Sequence, residues 1–234
     1  MNRLTDVVKN LLIINVIAFV AQIVLKDVVD VSLGYGHFPL SNNFMPFQIV
    51  TSMFMHADIS HLFFNMISLF FLGPTVEQSL GGKRFLVLYL IAGFVGTFAH
   101  VGIDFVDYYR LISEVDPLSV NQILEGLPSI QVVEETQRSA IRELGSVVNG
   151  RSLGASGAVY GVVIAFVTMF PKRKLMVFPI PIPIPAAILG VLMVGYGIVS
   201  GVGQLEPGIA HFAHLGGALT GFLMIHYWKM ANLR

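Results

Sequence analysis

The sequence predicts an all-α membrane protein, a six-transmembrane-helix bundle with both termini cytoplasmic. The first observation behind this is composition. Of 234 residues, 55% are hydrophobic and 12% charged, with a mean hydropathy of +0.75; an average soluble domain carries roughly 25% charged residues. The second is a set of six uncharged apolar runs, at 10–25, 60–76, 85–103, 153–170, 186–204 and 208–228. Each is close to the roughly 17–25 residues that a helix needs to cross a bilayer.

The third is a separation of charge hidden by a formal net charge of zero. With loops assigned alternately to the two sides, Arg3, Lys9, Lys83, Arg84, Lys172, Arg173, Lys174, Lys229 and Arg234 share one side with only Asp6 and Glu77. The other side holds Lys26, Arg110, Arg138, Arg142 and Arg151 against twelve acids, eight of them between Asp104 and Glu143. The positive-inside rule therefore puts both termini in the cytoplasm.

Run one follows Arg3 and Lys9 as a signal peptide would, but no A-x-A site ends it, so a retained helix is expected. Run two closes at Leu80-Gly81-Gly82, a helix stop ahead of Lys83. Between runs three and four lies the one long polar stretch, which can hold one or two short surface helices. Run four ends at Pro171-Lys172-Arg173-Lys174. The following "FPIPIPIP", residues 178–185, cannot be helical, because proline at every second position removes donors and clashes with the preceding turn. Run five thus starts near Pro185. Six spans leave little length for a second domain, and 1–234 reads as a single membrane domain with an extended outer loop at about 104–152. The chain has no cysteine, which excludes disulfides and thiolate metal sites. No nucleic-acid partner is expected.

Run four contains "GASG", residues 154–157. Ser156 lies about 16 residues before Lys172, roughly 24 Å of helix at 1.5 Å per residue, within a hydrocarbon layer about 30 Å thick. On an untilted helix the serine sits below the outer surface, and the chain before it dips into the membrane, shielded by protein or by a wet cavity. His214 in run six stands roughly 22 Å above Lys229, and Asn65 in run two roughly 20 Å above Gln78, with His61 one turn higher on the same face. Ser156, His214 and Asn65 thus share one layer open to the outer side.

Taken singly, each has a packing explanation. Ser156 borders Gly157 and Gly161, and His214 precedes Gly217 and Gly221, small-xxx-small spacings that let helices approach closely. Asn65 alone can be an interhelical hydrogen bond, and Tyr160 ordinary core. Yet two glycine faces packed together would also bring Ser156 to His214, and an intramembrane histidine is a functional candidate. Convergence points to acyl transfer by a serine–histidine dyad. His214 would take the Ser156 proton during attack on a carbonyl and return it to the leaving amine. Runs four and six contain no Asp or Glu, so no triad forms. Tyr160, on the helical face of Ser156, is a candidate platform for the imidazole. The Ser156 backbone N–H, the Asn65 amide and His61 can serve the developing oxyanion.

These residues resemble the rhomboid family of intramembrane serine proteases. The match is to G-x-S-G with a following tyrosine (Gly154, Ser156, Gly157, Tyr160), to H-x-x-x-x-H-x-x-x-N (His56, His61, Asn65) and to A-H-x-x-G-x-x-x-G (Ala213, His214, Gly217, Gly221). "GPTVEQSLGG", residues 73–82, is similar to the inner end of the family's second helix. The resemblance implies a rhomboid-like bundle with Ser156 and His214 as catalytic dyad, Asn65 and His61 at the oxyanion site, and a structural or water-holding role for His56. It also implies single-pass transmembrane protein substrates, cut near the outer leaflet at small residues, within the lipid bilayer; if the chain is bacterial, that membrane is expected to be the inner (plasma) membrane. No cofactor or metal is implied. The chain departs from the family in its long loop between spans three and four and in lacking a Trp-Arg pair within 26–60, which bears on substrate choice more than on chemistry.

Other classes lack their signatures. An α/β-hydrolase elbow requires G-x-S-x-G, but residue 158 is alanine. No H-E-x-x-H is present for a zinc protease, and His211 with His214 lacks a carboxylate partner in the membrane. The competing readings are a catalytically silent rhomboid-like module that binds or chaperones membrane proteins, and a transporter. The glycines of run five, Gly190, Gly195, Gly197, Gly201 and Gly203, would suit a moving helix in either a transporter or a protease.

Overall fold

The computed structural model describes residues 4–25, 38–125, 138–150, 154–177, 180–203 and 210–231. Of the charges used to assign sidedness, Arg3, Lys26, Asp27, Asp30, Glu134, Glu135, Arg151, Glu206 and Arg234 lie outside these residues. The helices are α1 (Asp6–Val24), α2 (Gln48–Thr51, continued by a 3-10 turn Ser52–Phe54), α3 (Ile59–Leu80), α4 (Gly82–Leu111), α5 (Pro117–Leu124), α6 (Arg138–Asn149), α7 (Ser156–Met169), α8 (Ala186–Gly203) and α9 (His211–Ala231).

Four of them, α1, α3, α4 and α8, are long and apolar enough to cross a membrane. This makes the chain a multi-pass membrane protein. Helix α7 is apolar but has 14 residues, about 21 Å of rise, which falls short of a hydrocarbon core of about 30 Å. Helix α9 has the length, 21 residues, but His211, His214 and His226 lower its mean hydropathy. Helix α7 is buried almost all round, as expected of a helix without a polar face, and α9 packs one face along α4 and α7 while Leu219, Leu223 and Tyr227 stay exposed.

The structure corrects two expectations. The chain is not purely α-helical, because β1 (Lys174–Val177) and β2 (Ile180–Pro185) pair as an antiparallel hairpin. Proline at alternate positions of β2 places the missing donors along one edge and leaves the isoleucine N–H groups of the other edge to pair. Helix α4 also runs past residue 103 to Leu111, giving 30 residues. Polar residues do not end it, because they pair along its surface: His100 with Asp104 at 3.8 Å and Asp107 with Arg110 at 3.6 Å. Within the stretch expected to hold short surface helices, α5 and α6 form. They pack on the extension of α4 around Phe38, Tyr108, Leu111, Ile123, Ile141 and Leu144, and Arg110 pairs with Glu143. This small core is separate from the main one, where Leu69, Phe85, Tyr89, Val162, Phe166 and Ile225 meet.

Helix α3 starts where the Asp58 carboxylate accepts the His61 N–H at 2.8 Å. Bonds from the Ser60 hydroxyl and from that N–H hold the Asp58 carboxyl below its ordinary range. It stops at Gly81, whose φ of +79° suits a residue without a side chain. Near that end the buried Glu77 accepts from the Thr5 hydroxyl and from the N–H groups of Val7 (3.2 Å) and Val8 (2.9 Å). One carboxylate thereby satisfies orphan donors of the first turn of α1 and ties α1 to α3.

Candidate active site

Glycine decides how closely the three inner helices approach. A Cβ on Gly217 would lie 1.9 Å from the Gly157 carbonyl oxygen, and one on Gly221 would lie 2.2 Å from that of Gly161. Gly96 of α4 completes the junction, since a Cβ there would meet the Ala213 oxygen at 2.7 Å. The sequence signal for Gly96 is its small-xxx-small spacing from Ala92. Backbones packed this tightly place side chains on α7 and α9 with little freedom.

At one end of this junction, His214 Nε2 lies 2.8 Å from Ser156 Oγ. The Tyr160 and His214 rings stack in parallel, with centroids 4.2 Å apart and planes 3° apart. Ser156 is the first residue of α7, so its N–H is among those that helix geometry leaves without an intrahelical acceptor. The loop before it is held by a bond from Gly154 N–H to the Ser52 carbonyl, 2.9 Å. Only glycine fits at 154: its φ is +124°, and a Cβ would fall 2.8 Å from His61 Cε1, 3.0 Å from His61 Nε2 and 3.4 Å from Ser156 Oγ. His61 and the serine hydroxyl therefore flank the same point.

His61 Nδ1 accepts from the Ala57 N–H at 3.4 Å, which puts the ring proton on Nε2, the nitrogen facing Gly154. One turn below, Asn65 is 5% exposed, and its Nδ2 has no partner among the described residues. A buried amide donor left unpaired costs stability. His56 is fully buried in the loop before α3, its ring edge-on to His61 at 5.2 Å, and neither ring nitrogen has a partner among the described residues. Its backbone is clamped by Gln22 of α1, which donates to the His56 oxygen at 2.6 Å and accepts from its N–H at 3.2 Å. A polar residue inside an apolar run was the only sequence signal for Gln22. Against Ser156 opens a cleft walled by Gly93, Gly157, Ala210 and Ala213, with the side of Ser52 and Thr97 completing it. Gly157 and Ala213 belong to the motifs around Ser156 and His214, whereas Ser52, Gly93, Thr97 and Ala210 come from outside them and no local motif announces them.

A rhomboid-domain family model matches residues 43–230, most of the chain. The chain belongs to the rhomboid family. Among curated relatives it is similar to RHOMBOID-like protein 12, mitochondrial, of Arabidopsis thaliana, 27% identical over 170 residues, which are 73% of this chain and 43% of the relative. Rhomboid protein 1, mitochondrial, of Saccharomyces cerevisiae is 26% identical over 184 residues, 79% of this chain and 42% of that protein. A shorter stretch of 62 residues is 37% identical to the putative rhomboid protease YdcA of Bacillus subtilis, covering 25% of this chain and 31% of the relative. The match spans less than half the length of these relatives. Family membership, with protease-named members, makes this an intramembrane protease-like fold.

Proposed function

We propose that this rhomboid is an intramembrane serine endopeptidase that cleaves transmembrane proteins through an acyl-enzyme. The observation that carries the reading is the Ser156 Oγ to His214 Nε2 distance of 2.8 Å beneath the stacked Tyr160 ring. In this scheme His214 Nε2 accepts the hydroxyl proton as Oγ bonds to the scissile carbonyl carbon. The resulting oxyanion accepts from the Ser156 N–H, His61 Nε2–H and Asn65 Nδ2–H. Collapse passes the His214 proton to the leaving amine, and a water deprotonated by the same imidazole releases the acyl group. Stacking on Tyr160 does the orienting that a carboxylate does in a triad. The glycine and alanine walls of the adjoining cleft suit a small side chain at the cut. A fluorophosphonate should give one adduct, at Ser156; an adduct only elsewhere would overturn the assignment.

Asn65→Ala leaves nucleophile and base untouched and removes one oxyanion donor. Loss of such a donor costs about 2.7–4 kcal/mol, or about 10²–10³ in kcat. Turnover is expected to fall by that range while KM changes little, and fluorophosphonate labelling, which places its phosphoryl oxygen in the same site, should slow but stay at Ser156. A variant cleaving at the wild-type rate would remove Asn65 from the site.

The reading includes six spans, both termini in the cytoplasm and Ser156 facing the outer leaflet. Its support is the opposition of Lys83, Arg84, Lys172, Arg173, Lys174 and Lys229 to the acids of α4 to α6. In this cysteine-free chain, Lys172→Cys and Glu114→Cys should react with an impermeant thiol reagent from opposite sides of sealed membranes. Reaction of both from one side would refute the topology.

A further inference from the structure

Six cations, Lys83, Arg84, Lys172, Arg173, Lys174 and Lys229, are exposed at one end of the bundle. Among the described residues none pairs with a carboxylate. The acids at that end are engaged with other groups: Glu77 with the start of α1, and Asp6 with Lys9 at 3.1 Å. The cations also form a connected rim. The Arg84 guanidinium lies 5.8 Å from the Trp228 ring centre, linking the start of α4 to the end of α9. Lys229 Nζ reaches the Thr168 carbonyl at 3.5 Å, linking α9 to the last turn of α7. Arg173 continues the rim, donating its N–H to Phe170 at 3.0 Å with its guanidinium 5.6 Å from the Phe166 ring centre.

Beyond Arg173 stands the β-hairpin, anchored at its base by Ala186 N–H to the Arg173 oxygen, 2.8 Å. Its Met176 and Ile182 are 75% and 64% exposed. The prolines of β2 leave its free edge short of donors, so a third strand is not the partner it fits. Unpaired cations around an indole, next to exposed apolar side chains, complement a surface that is anionic at one depth and hydrocarbon at the next. Guanidinium groups at both ends of the rim suit phosphate oxygens.

We propose that the Arg84–Trp228–Lys229–Arg173 rim and the adjoining hairpin form a binding surface for anionic phospholipid headgroups, with Met176 and Ile182 entering the acyl boundary. The surface involves no residue of the Ser156 site, so it stands or falls separately from the protease reading. Each cation near a membrane surface favours an anionic lipid by about fivefold, so enrichment beside the rim should be at least that.

Trp228, the single tryptophan of the chain, is the reporter. The full chain is reconstituted in phosphatidylcholine vesicles containing brominated phosphatidylglycerol or, at equal mole fraction, brominated phosphatidylcholine. At low mole fraction the anionic quencher should dim Trp228 as strongly as about five times as much of the zwitterionic one. The preference should collapse in about 1 M salt, where the Debye length is about 3 Å, and in the K83Q/R84Q/K172Q/R173Q/K174Q/K229Q variant. Equal quenching by the two lipids in the wild-type protein at low salt overturns the proposal without any variant. A preference that survives high salt, or persists undiminished in the folded variant, overturns its assignment to these cations.

Discussion

Ser156→Ala is expected to abolish proteolysis and fluorophosphonate labelling while leaving the helical bundle intact. The side chain is small, stands at a helix start and makes one bond among the described residues, to His214, so its removal leaves little cavity. Chemically the change removes the atom that forms the acyl bond. In serine proteases such a deletion lowers kcat on the order of 10⁶-fold. His214→Ala should cost nearly as much, and the double variant no more than either single one, because nucleophile and base act as a unit. The assay is cleavage of a reconstituted transmembrane substrate by purified protein, with circular dichroism and melting recorded in parallel. Chelators should leave the wild-type rate unchanged. Proteolysis persisting in Ser156→Ala, or abolished by chelation and restored by metal, would return the serine to a packing role.

Gly217→Ala is expected to give the largest structural effect of any single-methyl addition in the inner bundle. The added carbon would lie 1.9 Å from the Gly157 carbonyl oxygen and 3.1 Å from its Cα. Backbone cannot turn aside as a flexible side chain can, so α7 and α9 must separate. Overpacking of this kind costs typically about 1–3 kcal/mol, occasionally more. A shift of 1 Å at a reacting pair can cost about a hundredfold in rate, so activity should fall further than stability. The control is Gly195→Ala in α8, where an added Cβ meets nothing within 4 Å and both quantities should stay near wild type. A Gly217→Ala protein with unchanged melting temperature and turnover would mean that the close contact of α7 and α9 does not exist in solution.

The family was legible because its signature is local. Gly154-Ala155-Ser156-Gly157, the His61 and Asn65 pair one turn apart and the His214-to-Gly221 run each fall within a few residues, where helical periodicity relates position to face. The helix stop at Gly81 was legible for the same reason, since a positive φ selects its residue type. Less visible were contacts made by a single polar atom across long separations in sequence. Nothing in the neighbourhood of Glu77 says that its carboxylate closes the first turn of α1, or in that of Gln22 that it clamps the His56 backbone. The hairpin was missed because the alternating prolines rule out helix without stating what replaces it; pairing needs β1 as well.

The amino-acid sequence by itself determined the membrane class, the family and the heights of the polar residues along their helices. All three follow from composition and from a fixed rise per residue, which do not depend on how helices meet. Only the tertiary structure decided azimuth and distance. That His214 Nε2 stands 2.8 Å from Ser156 Oγ, that Tyr160 lies flat against the imidazole, and that Ser52, Gly93 and Thr97 border the same cleft depend on how closely α4, α7 and α9 approach. That approach is set by steric contact between carbonyl oxygens and the bare Cα atoms of Gly96, Gly157 and Gly217. Steric contact between helices far apart in sequence has no signature in the order of residues along any one of them.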